Sequence, residues 1–206
     1  MKRKLEQRLQ DVADFEEPDV ELEQYRTPAS VAAHLLALAD LNDDVEDRVV
    51  VDLGTGTGML AIGAGLLAPS RVVGIDIDES ALEIARENER SLAPGVPVAW
   101  IRGDARRIPL RVEDCTVVAN PPFGAQKANR HADRDFFETI REIARVSYTI
   151  HNAGSQEFVE AYSMDHGGRI THAYRVEFQL PRRFDFHEAD SATIQAELYR
   201  IEWSGN

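Results

Sequence analysis

With 206 residues, of which 43% are hydrophobic, the chain is long enough to bury one sizeable core, and we predict a single domain over residues 1–206. No apolar run is long enough to span a bilayer, and the first residues lack the apolar stretch of a secretory signal, which excludes an integral membrane protein and indicates a cytoplasmic one. The formal net charge of −13, from 36 acidic and 23 basic residues, would repel nucleic acid unless local basic patches bind it.

The amino-terminal part of the chain is predicted to form two helices joined by a polar segment. Residues 2–12 carry apolar side chains at helical spacing. A second helix is expected over 29–39, with Thr27 as its N-cap and Pro28 in its first turn, where proline is tolerated.

A glycine-rich turn follows the first predicted strand. Residues 49–53 are apolar apart from Asp52, and they run into a Gly-x-Gly-x-Gly motif at 54–58 and then a helix predicted over 60–67. This spacing differs from the Gly-x-Gly-x-x-Gly of dinucleotide-binding folds. Glycines let a ligand approach the backbone, and the start of a helix favours a negative group such as a carboxylate. Because Asp52 could bind a ligand ammonium, the motif predicts a site for a nucleoside that carries an amino acid.

Two further strands lead into acidic residues. The strand over 71–76 ends at Asp76, about 20 residues past the glycines, where a ribose-binding carboxylate is expected. A helix is predicted over 79–92 and a third strand over 96–101, after which Asp104 could accept a hydrogen bond from an adenine amine. A loop cap is an equally good interpretation of Asp104 taken alone.

The motif Asn-Pro-Pro-Phe at 120–123 follows a fourth strand, 115–119, which the prolines cannot continue. Asn120 offers an amide acceptor, Pro121 a carbonyl with no competing N–H, and Phe123 a flat apolar face. Together they suit a planar group that carries an NH2, such as a nucleobase. A proline turn with Phe123 packed into the core is the alternative for this motif by itself.

Polar residues at four successive strand ends indicate one shared site, because the carboxyl ends of parallel strands lie at the same edge of a sheet. These residues are Asp52, Asp76, Asp104 and Asn120. The rest of the chain adds a fifth strand, an antiparallel pair and two helices, predicted over 146–151, over 169–180 with 193–203, and over 135–144 and 156–164. The prediction is an α/β fold with a doubly wound sheet of seven strands, mostly parallel, with a C-terminal antiparallel pair.

The glycine-rich turn, Asp76, Asp104 and the Asn-Pro-Pro-Phe motif, taken in chain order, resemble the motifs of class I S-adenosylmethionine-dependent methyltransferases that act on an amine. The similarity is closer to the methyltransferase-like protein 5 family of small-subunit rRNA adenine methyltransferases and its archaeal relatives, and it extends over nearly the whole chain. The segments that carry it are Leu22–Tyr25, Gly54–Gly58, Gly74–Leu82, Asp104, Asn120–Gly124, Leu180–Pro181 and Phe184–His187. The composition, rich in Asp and Glu with three lysines, also resembles that of proteins from salt-loving organisms.

The resemblance implies a Rossmann-like sheet that binds S-adenosyl-L-methionine, with residues 1–28 as an N-terminal helix and a lid over the cofactor. Gln24 and Thr27 would close this lid. Asp76 would bind the ribose, and Asp104 with the next backbone N–H would bind the adenine. The implied cofactor-binding residues are Gln24, Thr27, Asp52, Gly54, Gly56, Thr57, Gly58, Met59, Asp76, Ile77, Asp104, Ala105 and Asn120. No metal ligand is implied.

The implied reaction is methyl transfer to the exocyclic N6 of an adenosine in small-subunit rRNA. The residues implied to hold the target base are Asn120, Pro121, Pro122 and Phe123. Two features depart from the family pattern: Arg26 stands where the family has proline, and acidic residues interrupt the basic loop after Phe123. The basic patches that could bind RNA are Lys2–Lys4 with Arg8, Lys127 with Arg130 and Arg134, and Arg182–Arg183.

The family's eukaryotic members work with a small zinc-binding activator protein, so the resemblance implies an archaeal counterpart that forms a heterodimer. The region 111–118 is expected to offer the sheet edge for it. Two alternatives stay open for the function. One is a methyltransferase acting on a protein glutamine side chain, a class that usually has tyrosine in place of Phe123. The other is a non-catalytic scaffold that binds cofactor or RNA, against which the intact Asn-Pro-Pro motif argues.

Overall fold

The computed structural model describes residues 1–108, 112, 114–122, 132–181 and 191–204. The helices among them are α1 (Lys2–Leu9), α2 (Ala29–Leu41), α3 (Met59–Gly65), α4 (Glu79–Leu92), α5 (Ala132–Ile143) and α6 (Gln156–Asp165). The strands are β1 (Val49–Leu53), β2 (Arg71–Asp76), β3 (Val98–Arg102), β4 (Cys115–Ala119), β5 (Ala144–Asn152), β6 (Gly168–Pro181) and β7 (Ser191–Trp203). In the described ranges, every helix is too short or too polar to cross a membrane.

The strands form one seven-stranded sheet in the order β3-β2-β1-β4-β5-β7-β6. Neighbours from β3 to β5 are parallel, while β7 lies antiparallel between β5 and β6. This confirms the predicted α/β fold, a mostly parallel sheet with a C-terminal antiparallel pair. The strand order reverses between β1 and β4, and in open α/β sheets ligands bind in the crevice at such a point.

Two apolar clusters cover the two faces of the sheet. On one face, α1 and α2 contribute buried side chains such as Leu9 and Leu36. On the other face, α5 contributes Phe137, which is fully buried. Val50 and Val51, successive residues of β1, belong to opposite clusters because side chains alternate along a strand. Helices therefore pack on both faces, as a doubly wound sheet requires.

Local signals set the bounds of α4 as predicted. The Asp78 carboxylate caps the helix by accepting a hydrogen bond from the Ser80 N–H at 2.9 Å. Glu79 in the first turn and Arg90 in the last turn complement the helix dipole. The helix ends where Ala93 adopts a left-handed conformation, with φ of 43°.

The amino-terminal helices differ in detail from the prediction. α1 ends at Leu9 rather than at residue 12. Pro28 is the N-cap of α2, with an extended backbone, so it stands before the first helical residue and Thr27 is not the cap. The Thr27 hydroxyl instead accepts a hydrogen bond from Asn120, which lies 93 residues further along the chain. A tertiary contact thus replaces the local capping that the sequence suggested.

β4 is an interior strand of the sheet. Its backbone pairs with β1 on one side and with β5 on the other. The expectation that region 111–118 offers a sheet edge is therefore wrong for the strand residues 115–118, because both sides of β4 are already paired. The edges of the sheet are β3 and β6.

Candidate active site

A cavity opens at the carboxyl edge of the sheet, at the point where the strand order reverses. The segment Leu22–Thr27, which we call the lid segment, forms part of its wall. Phe15 and Phe136 add two aromatic side chains to the same wall. The strand-end residues on the wall are Gly54, Thr55, Gly56, Thr57, Met59, Asp76, Ile77, Asp104, Ala105, Arg106, Asn120 and Pro122. Of the predicted site residues that the structure describes, three lie outside this wall, namely Asp52, Gly58 and Pro121.

The glycine-rich turn brings its backbone to the cavity wall. Gly56 has a φ of +53°, and a Cβ added to it would lie 2.9 Å from the Phe15 Cζ. The Thr55 N–H donates to the Ile75 carbonyl at 2.9 Å, and the Gly56 N–H donates to Asp76 Oδ2 at 2.7 Å. The turn is therefore tied to the end of β2, and its middle position requires glycine.

Asp52 lies behind the glycine-rich turn. Its Oδ2 accepts hydrogen bonds from the Thr55 hydroxyl at 2.6 Å and the Ala61 N–H at 2.9 Å. Its Oδ1 is buried and has no hydrogen-bond partner within the described ranges. Burial, and to a smaller extent the Asp76 carboxylate, raise the pKa of Asp52 to about 7. The contacts of Asp52 brace the turn against α3, and its contact with a ligand ammonium stays a prediction.

Asp52→Asn is expected to flatten the pH dependence of stability. Because the folded-state pKa is raised, the neutral Asp52 stabilises the fold below the ordinary aspartate pKa, and this contribution is lost as the pH rises through about 7. Between about pH 5 and 6.5, Asp52 should lower the wild-type free energy of unfolding by about 1.4 kcal/mol per pH unit, a slope that the variant lacks. Urea unfolding of both proteins at constant salt measures this slope. A stability difference that does not change with pH would contradict the assignment.

Asp76 ends β2 on the cavity wall. Its Oδ2 accepts from the Gly56 N–H, and its Oδ1 accepts from the Asp78 N–H at 3.0 Å. Burial raises the pKa of Asp76, although these backbone hydrogen bonds oppose the shift. Gln24 Nε2 donates to Asp78 Oδ2 at 2.8 Å, so the lid segment is anchored two residues from Asp76.

Asp104 forms an ion pair that the motifs did not predict. Its Oδ1 accepts from Arg106 Nε at 2.9 Å, and its Oδ2 accepts from Arg106 Nη2 at 2.8 Å. Hydrogen bonds from Arg106 lower the pKa of Asp104, so the carboxylate is ionised at neutral pH. A ligand amine that bound Asp104 would share it with Arg106. The Asp-x-Arg spacing in the loop after β3 is the sequence signal that could have indicated this pair.

Asn120 follows β4, and both ends of its side-chain amide bond to the lid segment. The Tyr25 hydroxyl donates to Asn120 Oδ1 at 2.9 Å, and Asn120 Nδ2 donates to Thr27 Oγ1 at 2.9 Å. Pro122 lies on the cavity wall beside it. The next residue of the motif, Phe123, lies outside the described residues.

Phe15 and Phe136 are wall residues that sequence reasoning missed. Both are buried, and an ideal Cβ on Gly54 would lie 3.3 Å from the Phe136 Cζ. Phe15 lies beside Gly56 in the same way. Neither aromatic residue belongs to a motif, so each is indistinguishable in the sequence from an ordinary core position.

The predicted basic patches are only partly within the described residues. Lys2–Lys4 are exposed on α1, and Arg8 donates a hydrogen bond to the Leu92 carbonyl. Arg134 is exposed near the start of α5. The other predicted basic residues lie outside the described part of the chain, as does the segment Phe184–His187; they are Lys127, Arg130, Arg182 and Arg183.

Known proteins resemble this chain in sequence and in fold. The family model of the ribosomal protein L11 methyltransferase (PrmA) matches residues 31–93. An uncharacterised protein of Methanocaldococcus jannaschii is 39% identical over 99% of this chain and 95% of its own length. The rRNA N(6)-adenosine-methyltransferase METTL5 of Danio rerio is 33% identical over 97% of each chain. The crystal structure of a candidate RNA methyltransferase from Pyrococcus horikoshii has a TM-score of 0.88 and 37% identity, over 98% of this chain and 97% of that one.

Proposed function

The chain belongs to the family of the METTL5 rRNA N(6)-adenosine-methyltransferases, and from this membership we propose that it methylates the exocyclic N6 of an adenosine in small-subunit rRNA. The methyl donor is S-adenosyl-L-methionine. The observation that supports this proposal most is the position of Asn120. Its amide lies on the wall of the cavity that also contains the glycine-rich turn and Asp76, so an acceptor amine bound at Asn120 would lie next to the donor site.

The acceptor end of the site suits a weakly nucleophilic amine. The lone pair of the adenine N6 is delocalised into the ring. Asn120 Oδ1 on the cavity wall would accept one of its two N–H groups, and we propose the carbonyl of Pro121, which is not itself a wall residue, for the other. Both acceptors would favour a more tetrahedral nitrogen with an available lone pair. When bound, S-adenosyl-L-methionine would supply the methyl group and leave as S-adenosylhomocysteine, and the displaced N6 proton would pass to water, so no strong base among the wall residues is needed before attack. Most of the rate would come from positioning.

The target base has to leave its stack in the RNA before it can enter the cavity. Enzymes that act on a base take an unpaired nucleotide or flip it out of the helix, which costs a few kcal/mol. Phe123 would stack on the base, a contact worth roughly 1–3 kcal/mol. The lid segment and Pro122 border the same space.

The chemistry of the wall residues suits S-adenosyl-L-methionine, which when bound would supply the electrophilic methyl group. The Asp76 carboxylate suits the two ribose hydroxyls, because it is an acceptor held in place by backbone N–H groups. Ile77, which is 48% exposed, offers an apolar contact beside it. Thr57 and Met59 would bind the amino-acid end, and Asp104 the adenine.

Asp76→Asn is expected to weaken cofactor binding about tenfold. Hydrogen bonds to a charged group contribute roughly 1.5–3 kcal/mol, and the neutral amide keeps only part of that strength. Titration calorimetry with S-adenosyl-L-methionine measures the affinity. The matched control is Asp47→Asn, an exposed residue in the loop before β1. An affinity for Asp76→Asn equal to that of the control would contradict the ribose assignment.

We also propose a heterodimer with a small zinc-binding activator. A partner that adds a strand would pair with β3 or β6, because these are the edges of the sheet that the described residues form. Light scattering combined with chromatography of the protein purified alone and with the partner tests this. Active, monodisperse protein obtained alone would contradict an obligate partner.

Transfer of labelled methyl groups tests the proposed function directly. The purified protein is incubated with labelled S-adenosyl-L-methionine and, separately, with naked small-subunit rRNA, naked large-subunit rRNA and ribosomal protein. High potassium chloride screens repulsion between the acidic protein and RNA. Label on small-subunit rRNA alone is the expected result. Label on protein alone would favour the glutamine methyltransferase, and no label with cofactor bound would favour a scaffold or a missing partner.

A further inference from the structure

We propose that Tyr25 is a positioning residue that orients the side-chain amide of Asn120 toward the acceptor amine. This inference rests on the proposed function, because that function assigns the binding of an amine to Asn120. Tyr25 does not bind the base directly. It acts through Asn120, whose Oδ1 accepts its hydroxyl hydrogen at 2.9 Å.

The orientation of the Asn120 amide matters because its two ends are chemically opposite. One end is an oxygen acceptor and the other is an NH2 donor, and they exchange places when the Cβ–Cγ bond turns by half a rotation. An exocyclic amine offers two N–H donors in the plane of its ring. A flipped amide would place donor against donor and could not hold the amine.

Two hydroxyl groups of the lid segment contact the two ends of the amide. Tyr25 donates to Oδ1, and Thr27 Oγ1 accepts from Nδ2, each at 2.9 Å. A phenol oxygen is a weak acceptor because its lone pair is shared with the ring, whereas an aliphatic hydroxyl oxygen is a better one. The pair therefore favours Oδ1 toward Tyr25 and Nδ2 toward Thr27. Since Oδ1 has two lone pairs, one remains for a substrate N–H.

The lid segment is itself held in place on both sides of Tyr25. Gln24 Nε2 donates to Asp78 Oδ2, and Gln24 Oε1 accepts from the Asp19 N–H, both at 2.8 Å. Arg26 Nη1 donates to the Val12 carbonyl at 2.6 Å. These contacts hold the lid segment on both sides of Tyr25, so its ring extends toward Asn120 from an anchored backbone.

Tyr25→Phe tests the inference because it removes one oxygen atom and keeps the ring. We expect kcat to fall about tenfold, while KM for rRNA, Kd for S-adenosyl-L-methionine and the melting temperature stay within error of the wild type. The matched control is Tyr174→Phe, a partly exposed tyrosine of β6 far from the cavity in the sheet order. A purely structural role would change the melting temperature or Kd instead of kcat.

Two kinetic outcomes would overturn the inference. A kcat for Tyr25→Phe equal to that of Tyr174→Phe would show that the hydroxyl does not matter. A higher kcat or a lower KM would show that Tyr25 competes with the substrate for Asn120 Oδ1 and acts as a block.

A measurement without turnover separates this inference from the proposed function. The side-chain NH2 signals of Asn120 are identified in a ¹⁵N correlation spectrum by their absence in Asn120→Asp. They should shift or broaden in Tyr25→Phe and stay in place in Tyr174→Phe. If the wild type methylates no RNA, the proposed function fails, yet these signals still decide whether Tyr25 holds the amide. Unchanged signals in Tyr25→Phe would overturn the inference.

Discussion

Asn120→Ala is expected to lower the rate of methyl transfer by roughly 100- to 1000-fold, the usual cost of removing one preorganised polar group from an active site. The variant loses the Oδ1 acceptor for the target amine and leaves the Tyr25 hydroxyl and the Thr27 hydroxyl without their Asn120 partner. The contacts of Asp76 and of the glycine-rich turn do not involve Asn120. The affinity for S-adenosyl-L-methionine should therefore stay within about threefold of the wild type.

Single-turnover kinetics and calorimetry on the same preparation separate the two effects. Asn42→Ala is the matched control, because Asn42 caps α2 with a hydrogen bond to the Leu38 carbonyl and lies off the cavity wall. It should bind cofactor and turn over like the wild type. Loss of cofactor affinity with unchanged chemistry in Asn120→Ala would reverse the role assigned to Asn120.

Asp44→Asn is expected to lower the free energy of unfolding by about 3–5 kcal/mol, the range observed when one partner of a buried ion pair is removed. The Asp44 carboxylate, 1% exposed, accepts hydrogen bonds from Arg145 Nη2 at 2.7 Å, the Tyr148 hydroxyl at 2.6 Å and Arg200 Nε at 2.9 Å. An amide in its place would put an NH2 donor against these donors. Asp44, Arg145, Tyr148 and Arg200 form what we call the Asp44 cluster, which joins the loop after α2 to β5 and β7. Its loss would weaken the contact of this loop with the two strands.

The control for Asp44→Asn is the same change one residue earlier. Asp43 is exposed and has a φ of 57°, a conformation that asparagine also adopts, so Asp43→Asn removes one charge with little effect on stability. Urea unfolding at constant salt measures both variants. Equal unfolding midpoints would contradict a structural role for the Asp44 cluster.

The pH dependence of the Asp44 contribution is opposite to that of Asp52. Burial alone would raise the pKa of Asp44, but hydrogen bonds from Tyr148, Arg200 and Arg145 outweigh it and lower the pKa. Its stabilisation is therefore present above the ordinary aspartate pKa and is lost as the pH falls through the lowered value. Asp52 loses its contribution as the pH rises, so the two carboxylates together favour a stability maximum on the acidic side of neutral.

The parallel part of the sheet could be predicted from the sequence, because the signals that specify its strands are local. β1, β2 and β4 are short runs of β-branched and apolar residues, and Asp78 caps α4 within three residues of chain. Glycines and polar residues after these strands indicated a shared ligand site, because parallel strands end at one edge. The cavity wall contains residues from all four strand ends.

Strand order and long-range contacts could not be predicted from the sequence. The region 111–118 is expected from the sequence to offer a sheet edge, but the crossover places β4 between β1 and β5. Tyr25 contacts Asn120 across 95 residues, and Arg200 contacts Asp44 across 156 residues. No local pattern marks such pairs, because each hydroxyl or charge has many equally suitable partners in the sequence. Arg106 differs from these pairs, because it bonds to Asp104 only two residues away and the local Asp-x-Arg spacing could have indicated it.

Nucleoside analysis of small-subunit rRNA after incubation with the protein and labelled S-adenosyl-L-methionine tests the central claim most directly. The proposed function predicts that the label elutes with N6-methyladenosine alone and that it disappears with Asn120→Ala. Label in another nucleoside, or label that persists in Asn120→Ala, would contradict the assignment of this site to an adenine N6 amine.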